Sequence, residues 1–274
     1  MKTIYFDCAM GAAGDMLTAA LLELAPDREA ALAKLNALGV PGVRFAAAKG
    51  VKCGITGTQM TVTVDGKEEG ADGHEHHHEH CGCGCRHEHG GHEHSHDHDH
   101  GHRHVHRGMA DIETVVNGLN VSESVRAQVL EVYKIIAAAE SAVHGVPVTE
   151  IHFHEIGALD AVADIAAVCT LMEDLAPRRV LASAVNVGSG HVHCAHGVMP
   201  VPAPATALIL RGVPIYGGHE NGELCTPTGA ALLRHFVSDF RPMPVMTVSS
   251  IGYGMGKKDF EAANCVRAFL GESE

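Results

Sequence analysis

Tryptophan is absent from this sequence, and only four Tyr and seven Phe occur among its 274 residues. A core must therefore be filled by Ala, Val, Leu and Gly, and the 46% hydrophobic content is enough for a globular chain. No run of 18 apolar residues occurs, so no membrane-spanning helix is expected. The start, MKTIYFDCAMG, has one Lys and then a strand-like run. It lacks the apolar h-region of a secretory signal. Positive charge is also scarce: 20 Lys and Arg face 33 Asp and Glu, a balance of −13 with His neutral. That disfavours nucleic acid as a partner and suits a protein that handles cations. The nine Cys are dispersed except for Cys81, Cys83 and Cys85. Without a signal, they are expected to be free thiols in a reducing, cytoplasmic compartment.

What the chain has in excess is histidine. Fifteen of its 23 His lie between His74 and His106, in HEHHHEHCGCGCRHEHGGHEHSHDHDHGHRHVH. The stretch has no apolar periodicity, so it is expected to be disordered without metal. In HxH and HxHxH spacing, alternate imidazoles face one way along an extended chain and can wrap a metal. His76, His78, His80, His94, His96, His98 and His100 are candidate ligands on this basis. Cys81, Cys83 and Cys85 add thiols at the same spacing, with Gly between them. Such ligands follow the Irving–Williams order, so Ni²⁺, Cu²⁺ and Zn²⁺ all qualify. A metal buffer without further activity is the plain alternative. Protonating every His would carry the charge from −13 to about +10. Metal should therefore be lost steeply as pH falls through about 6.5.

Around this stretch, alternating strand and helix signals predict an α/β or α+β fold with a mixed sheet and flanking helices. Residues 1–66 form its first part, 67–108 a disordered His/Cys-rich insertion, and 109–274 the remainder. A strand over Thr3–Phe6 leads through a Gly-rich turn to a helix over Met16–Leu24, with Asp15 as its N-cap candidate. A second helix is predicted over Asp27–Leu38, then paired strands over Val43–Val51 and Thr58–Val64. Helices follow over Met109–Gly118, Ser122–His144 and Ala158–Leu175, the last apolar on every side and therefore central. Val180–Val187 reads as a buried strand. GSGHVHCAHGVMPVPAP reads as loop, because its prolines forbid a regular element until a helix near Ala203–Arg211. A short strand at Pro214–Tyr216 precedes a helix opened by Pro227. Strands near Val245–Val248 and Val266–Leu270, joined through GYGMG, close the chain.

Three constellations outside the tract carry chemistry. In HFHE, His152 and His154 project to one side of an extended chain while Phe153 enters the core. Glu155 follows, and Asp160 and Asp164 share one helix face. This set suits a metal shell with carboxylates behind it, or plainly capping histidines and a satisfied buried Asp. His191, His193, Cys194 and His196 place four metal-ligand types within six residues. Asp7, Gly11, Gly14 and Asp15 line a strand–turn–helix that could cradle a phosphate on backbone N–H groups, or be only a tight turn. It lacks the Lys and Ser/Thr of a Walker A motif. Glu223, Thr226, Thr228 and the segment Gly252–Gly256 could line the same cleft.

In order, DCAMGAAGDM, a His-rich insertion, HFHEIGALDAVADI, GSGHVHCAHGVMPVPAPAT, ELCTPTGAA and GYGMGKKDF resemble the LarC family. These are the nickel-insertion proteins of nickel-pincer cofactor synthesis. The resemblance covers nearly the whole chain. It implies a nickel chelatase or cyclometallase of the lyase class, acting on pyridinium-3,5-bisthiocarboxylic acid mononucleotide. Its reaction forms Ni–S bonds and one Ni–C bond and depends on CTP with Mn²⁺ or Mg²⁺. The product would serve lactate racemase, whose apo-enzyme becomes a candidate partner. Family members carry a further C-terminal domain associated with CTP, which this chain lacks. A C-terminal partner polypeptide is therefore expected, as is a homo-oligomer. Within this reading His152, His154, Glu155 and Asp160 are the catalytic candidates, and the tract is a nickel supply. Storage of nickel without catalysis is the alternative.

Overall fold

The structure is a computed structural model, and it describes residues 1–68, 107–151, 153, 157–194 and 197–274. The expectations for the His/Cys tract and for His152, His154, Glu155 and His196 lie outside these residues. The first segment forms β1 (Lys2–Asp7), α1 (Gly14–Leu24), α2 (Arg28–Asn36), β2 (Val43–Lys52), β3 (Ile55–Val64) and β4 (Lys67–Glu68). After the tract come α3 (Met109–Asn117), α4 (Glu123–His144) and α5 (Leu159–Leu175). Short strands β5 (Arg179–Ala182), β6 (Val185–Asn186), β7 (Gly188–Ser189), β8 (His191–Cys194) and β9 (Gly197–Pro200) lead to α6 (Pro204–Ile209). The chain finishes with β10 (Ile215–Tyr216), β11 (Gly222–Glu223), α7 (Pro227–Phe236), β12 (Asp239–Phe240), β13 (Met246–Met255) and β14 (Cys265–Ser273).

One eight-stranded mixed sheet takes strands from both sides of the tract, in the order β12-β5-β1-β14-β13-β3-β2, with β4 beside β3. β1 runs parallel to β5 and antiparallel to β14. The predicted pair of strands is a ten-residue antiparallel hairpin, Val43 facing Val64 and Lys52 facing Ile55. α1 lies across β13, β14 and β3, and α5 packs on α1 and α4. Twelve of the 17 residues of α5 are buried, as its apolar sequence requires of a central helix. Local capping follows the sequence for α4. Ser122 accepts a hydrogen bond from the Val125 amide at 3.0 Å, and Gly145 takes the left-handed φ of 67° that ends the helix.

Several expectations are corrected. Asp15 does not cap α1: the helix begins two residues earlier behind Ala13, and Asp15 lies in the first turn. In α2 Asp27 is the cap and not the first helical residue, its carboxylate accepting from Ala30 N at 2.9 Å. GSGHVHCAHGVMP is not loop but includes the hairpin β8–β9, in register from His191↔Pro200 to Cys194↔Gly197. Pro200 is tolerated because it closes a strand, where a missing N–H costs no interior ladder bond. GYGM is not a connector either, since it is the last part of β13.

Those glycines have a packing reason. A Cβ on Gly254 would collide with the Met16 carbonyl oxygen, and one on Gly252 with that of Ala20. The backbone of α1 thus rests directly on the backbone of β13. Glu23 secures the contact, accepting from Thr58 Oγ1 at 2.7 Å and from Tyr253 N at 2.9 Å. Gly254→Ala should lower unfolding free energy by roughly 3 kcal/mol, the upper range for forcing extra volume into a packed core. Chemical denaturation checks it, and a loss below about 1 kcal/mol would contradict backbone-to-backbone docking.

Candidate functional site

Three helices begin at one place. The first turns of α1, α5 and α7 border a single cleft of about 240 Å³, together with Glu223 from β11 and Lys257 from the loop after β13. Each start has a local cause. Pro227 opens α7, and Thr226 caps it by accepting from Gly229 N at 3.2 Å. Asp15 and Asp160 sit in the first turns of α1 and α5, each accepting a backbone N–H, from Met16 at 2.8 Å and Ala161 at 2.7 Å. Acidic residues there complement the helix dipole.

Asp164 is different. It stands one turn further along α5, facing Gly14, where a Cβ would come within 2.7 Å of its Oδ2. Its Oδ1 is shut off from solvent and has no hydrogen-bond partner among the described residues. Burial raises the Asp164 carboxyl well above the usual carboxylate range, and the neighbouring Asp15 and Asp160 push it further. Burial raises Asp15 as well, against the pull of the Lys257 ammonium 4.0 Å away. Lys257 also pairs with Glu68, and these partners outweigh burial to hold its charge. One engaged ammonium thus serves several carboxylates.

A second, smaller cavity of about 110 Å³ adjoins the cleft and shares Glu223 and Pro227 with it. Its walls include His193 and Cys194 of β8, Met199 of β9, Phe153, and Glu140 and His144 of α4. His144 Nε2 lies 3.3 Å from Glu140 Oε2. Phe153 is buried as expected and packs edge-on to Tyr133, with ring centroids 5.9 Å apart. His191 is exposed and does not line this cavity. Along β8 it shares a face with His193, with Cys194 on the other.

The predicted site residues therefore separate. Gly14, Asp15 and Asp160 meet in the carboxylate cleft, joined by Glu223, Thr226 and Thr228. Asp7 is elsewhere: it accepts from Arg267 Nε at 3.0 Å and lines another cavity with Tyr216, Phe240 and Arg241. Gly11 packs on the Leu224 carbonyl at a φ of +74° and shapes the turn. Cys8 and Cys225 are fully buried. Burial raises both thiols, Cys225 to about 12, so neither offers a thiolate near neutrality. Lys257, Glu140, His144 and Met199 were not singled out beforehand. Lys257 and Met199 carry no ligand-like spacing to read, whereas Glu140 and His144 stand at i, i+4 on α4, a signal that could have found them. Among the described residues, no three His, Cys, Asp or Glu side chains are arranged to hold a metal ion. None of their helices is long and apolar enough to cross a membrane.

The chain is thus a mixed α/β protein with three helix N-termini on an acidic cleft and an adjoining cavity lined by His and Cys. The sequence model of the nickel insertion proteins matches residues 4–274, and the chain belongs to that family. A pyridinium-3,5-bisthiocarboxylic acid mononucleotide nickel insertion protein of Clostridium acetobutylicum is 42% identical over 275 residues, covering 100% of this chain and 65% of its own length. Proteins of the same description from Clostridium kluyveri and Geobacillus kaustophilus are 37% and 35% identical, over 63% and 60% of their lengths and 100% and 99% of this chain. The chain thus spans less than two thirds of these relatives. No solved structure matches it.

The buried carboxyl gives a pH signature. Its folded-state pKa is raised, so the native protein binds a proton that the unfolded chain releases. Stability therefore falls as pH rises from about 4 through the elevated native value. Asp164→Asn removes this slope. Metal-free denaturation curves from pH 4 to 8 should show the variant gaining steadily on the wild type. A difference constant across that range contradicts the assignment.

Proposed function

We infer that this chain inserts Ni²⁺ into pyridinium-3,5-bisthiocarboxylic acid mononucleotide. The reaction is CTP-dependent, with Mn²⁺ or Mg²⁺ accompanying the nucleotide, and proceeds together with a C-terminal polypeptide. The relatives named for this substrate and the nickel-insertion family support the reading. The observation that carries the reading is where the His/Cys tract is anchored. Before it, Glu68 pairs with Lys257 in the carboxylate cleft. After it, the Arg107 carbonyl accepts from Phe153 N at 3.0 Å, and Phe153 walls the His193–Cys194 cavity. A dense set of metal ligands is thus held at both ends against the two adjoining cavities.

Nickel is the cargo of this reaction. Making the Ni–C bond exchanges a ring C–H for C–Ni and releases one proton, which needs a base beside the substrate. His193 and Glu223 border the cavities, and Asp160 stands at the α5 terminus. His152, His154 and Glu155 remain candidates for the same task. The soft cavity suits nickel in transit, and the helix N-termini suit the phosphate of the mononucleotide. The product serves lactate racemase and related enzymes.

The test combines the purified chain, its C-terminal partner, substrate, CTP, Mg²⁺ and Ni²⁺, and follows the pincer product by absorbance and mass. Product is expected. Nickel bound without product under every condition would favour storage instead. Removing residues 74–106 should lower nickel stoichiometry yet leave insertion at high Ni²⁺; no insertion at any nickel concentration, with the fold intact, would reject the supply role. The pair His191→Ala and His193→Ala should abolish insertion while tract-bound nickel persists. Full activity in that double variant would move the site elsewhere.

A further inference from the structure

We propose that Asp164 and Asp15 hold a hard divalent cation, Mg²⁺ or Mn²⁺, whose other positions are taken by water and by a phosphate seated at the N-termini of α1, α5 and α7. The phosphate part rests on the proposed function, where it belongs to the pyridinium mononucleotide; the cation part does not.

The buried Oδ1 of Asp164 is the first observation. It belongs to a residue that borders the cleft, and it has no hydrogen-bond partner among the described residues. A carboxylate oxygen shut off from water and from donors costs several kcal/mol unless it takes up a proton or a cation meets it, and at a pH where the carboxyl ionises only the cation remains. The only ammonium bordering the cleft among the described residues, Lys257, is already shared between Asp15 and Glu68. Ligand type is the second. Carboxylates and the hydroxyls of Thr226 and Thr228 offer oxygen alone, whereas thiol and imidazole are confined to the neighbouring cavity. Oxygen donors select Mg²⁺ or Mn²⁺ over a softer metal.

The missing cage is the third. No three ligands are gathered in advance among the described residues. Mg²⁺ is commonly held in that way, by one or two carboxylates, several waters and a ligand phosphate. Three helix N-termini attract a phosphate, but without a cation it would meet Asp15, Asp160 and Asp164. A divalent ion between them alternates the charges. The cleft, about 240 Å³, is far larger than the roughly 10–15 Å³ that admits one water, so it has room for a hydrated ion. Gly14 keeps the approach open, since a Cβ there would press on the Asp164 carboxylate.

The experiment is Mn²⁺ electron paramagnetic resonance on the full chain, wild type against Asp164→Asn and Asp15→Asn, with nicotinic acid mononucleotide as probe. Mn²⁺ on the His tract carries ¹⁴N coupling from imidazole; Mn²⁺ in the cleft carries none. The wild type should show one ¹⁴N-free Mn²⁺, with affinity falling in either variant by at least the roughly 10–100-fold that loss of an outer partner alone costs. Mg²⁺ should displace it and should raise the thermal midpoint of the wild type but not of Asp164→Asn, a near-isosteric change that leaves no ionisable group to bury. Adding the mononucleotide should introduce ³¹P coupling. A ¹⁴N-free signal unchanged in both variants, or none in the wild type, overturns the site. A signal without ³¹P coupling overturns the phosphate bridge. Neither readout involves nickel insertion, so a failure of that activity is told apart from a failure of the cation site.

Discussion

Everything at the site depends on how closely α1 approaches its neighbours. Side chains do not separate it from β13: Met16 and Ala20 place their carbonyl oxygens where Cβ atoms of Gly254 and Gly252 would otherwise stand. At its N-terminus, Gly14 admits the Asp164 carboxylate, and Gly229 of α7 lies against the Ala12 carbonyl. The same economy of volume brings α1, α5 and α7 to a common point. In a chain without Trp and with few aromatics, small residues are what permit this approach. A helix held off by ordinary side chains would sit 8–10 Å from its partner axis, and three N-termini would not share one small cleft.

That convergence creates an electrostatic problem as well as an opportunity. Helix N-termini favour negative charge, and Asp15 and Asp160 occupy those positions in the usual way. Asp164 exceeds what the dipoles and Lys257 can satisfy, and burial pushes its carboxyl toward the protonated form. Next door, His193, Cys194, Met199 and His144 offer softer donors around Glu223. The two cavities therefore differ in chemistry while touching. Among the described residues, imidazole and thiol donors line only one of the two, while carboxylates line both, so the cavities favour metals of different character.

Much of the fold was legible in advance, for identifiable reasons. α4 announces itself by Ser122 and Gly145, the β2–β3 hairpin by strict alternation, and α5 by being apolar all round. The errors cluster where glycine and proline are read as punctuation. In GYGMG the glycines mark a close approach to a helix, and in HVHCAHGVMP the final proline merely ends a strand. Sequence shows that a backbone is permissive there but not what comes near it. The site divides in the same way. Asp15, Glu223, Thr226 and Thr228 stood out through their turns and were suspected of sharing a cleft, while Asp160 was read with the HFHE segment. Lys257 joins them only through tertiary packing, which no local spacing encodes, whereas Glu140 and His144 of the adjoining cavity stand at i, i+4 on α4. Asp7 looked like their companion because it is near in sequence. Its carboxylate is instead committed to Arg267, across the sheet on β14.

The tract's placement gives its abundance a meaning that composition cannot. A run of histidines attached at a terminus raises the concentration of bound metal around the whole molecule. Here, whatever path residues 69–106 take, Glu68 is tied to Lys257 and Arg107 to Phe153. Arg107 is further fixed by donating from Nη1 to the Gly157 carbonyl at 2.8 Å, just ahead of α5. Both ends are thereby held where the cavities are. Under the proposed function, transfer of nickel from tract to site would be an intramolecular event with a high effective concentration. The affinity demanded of the site would then be low: a cavity with His193 and Cys194 would need only to accept the ion briefly, and the thiocarboxylates of the proposed substrate would supply the remaining ligands.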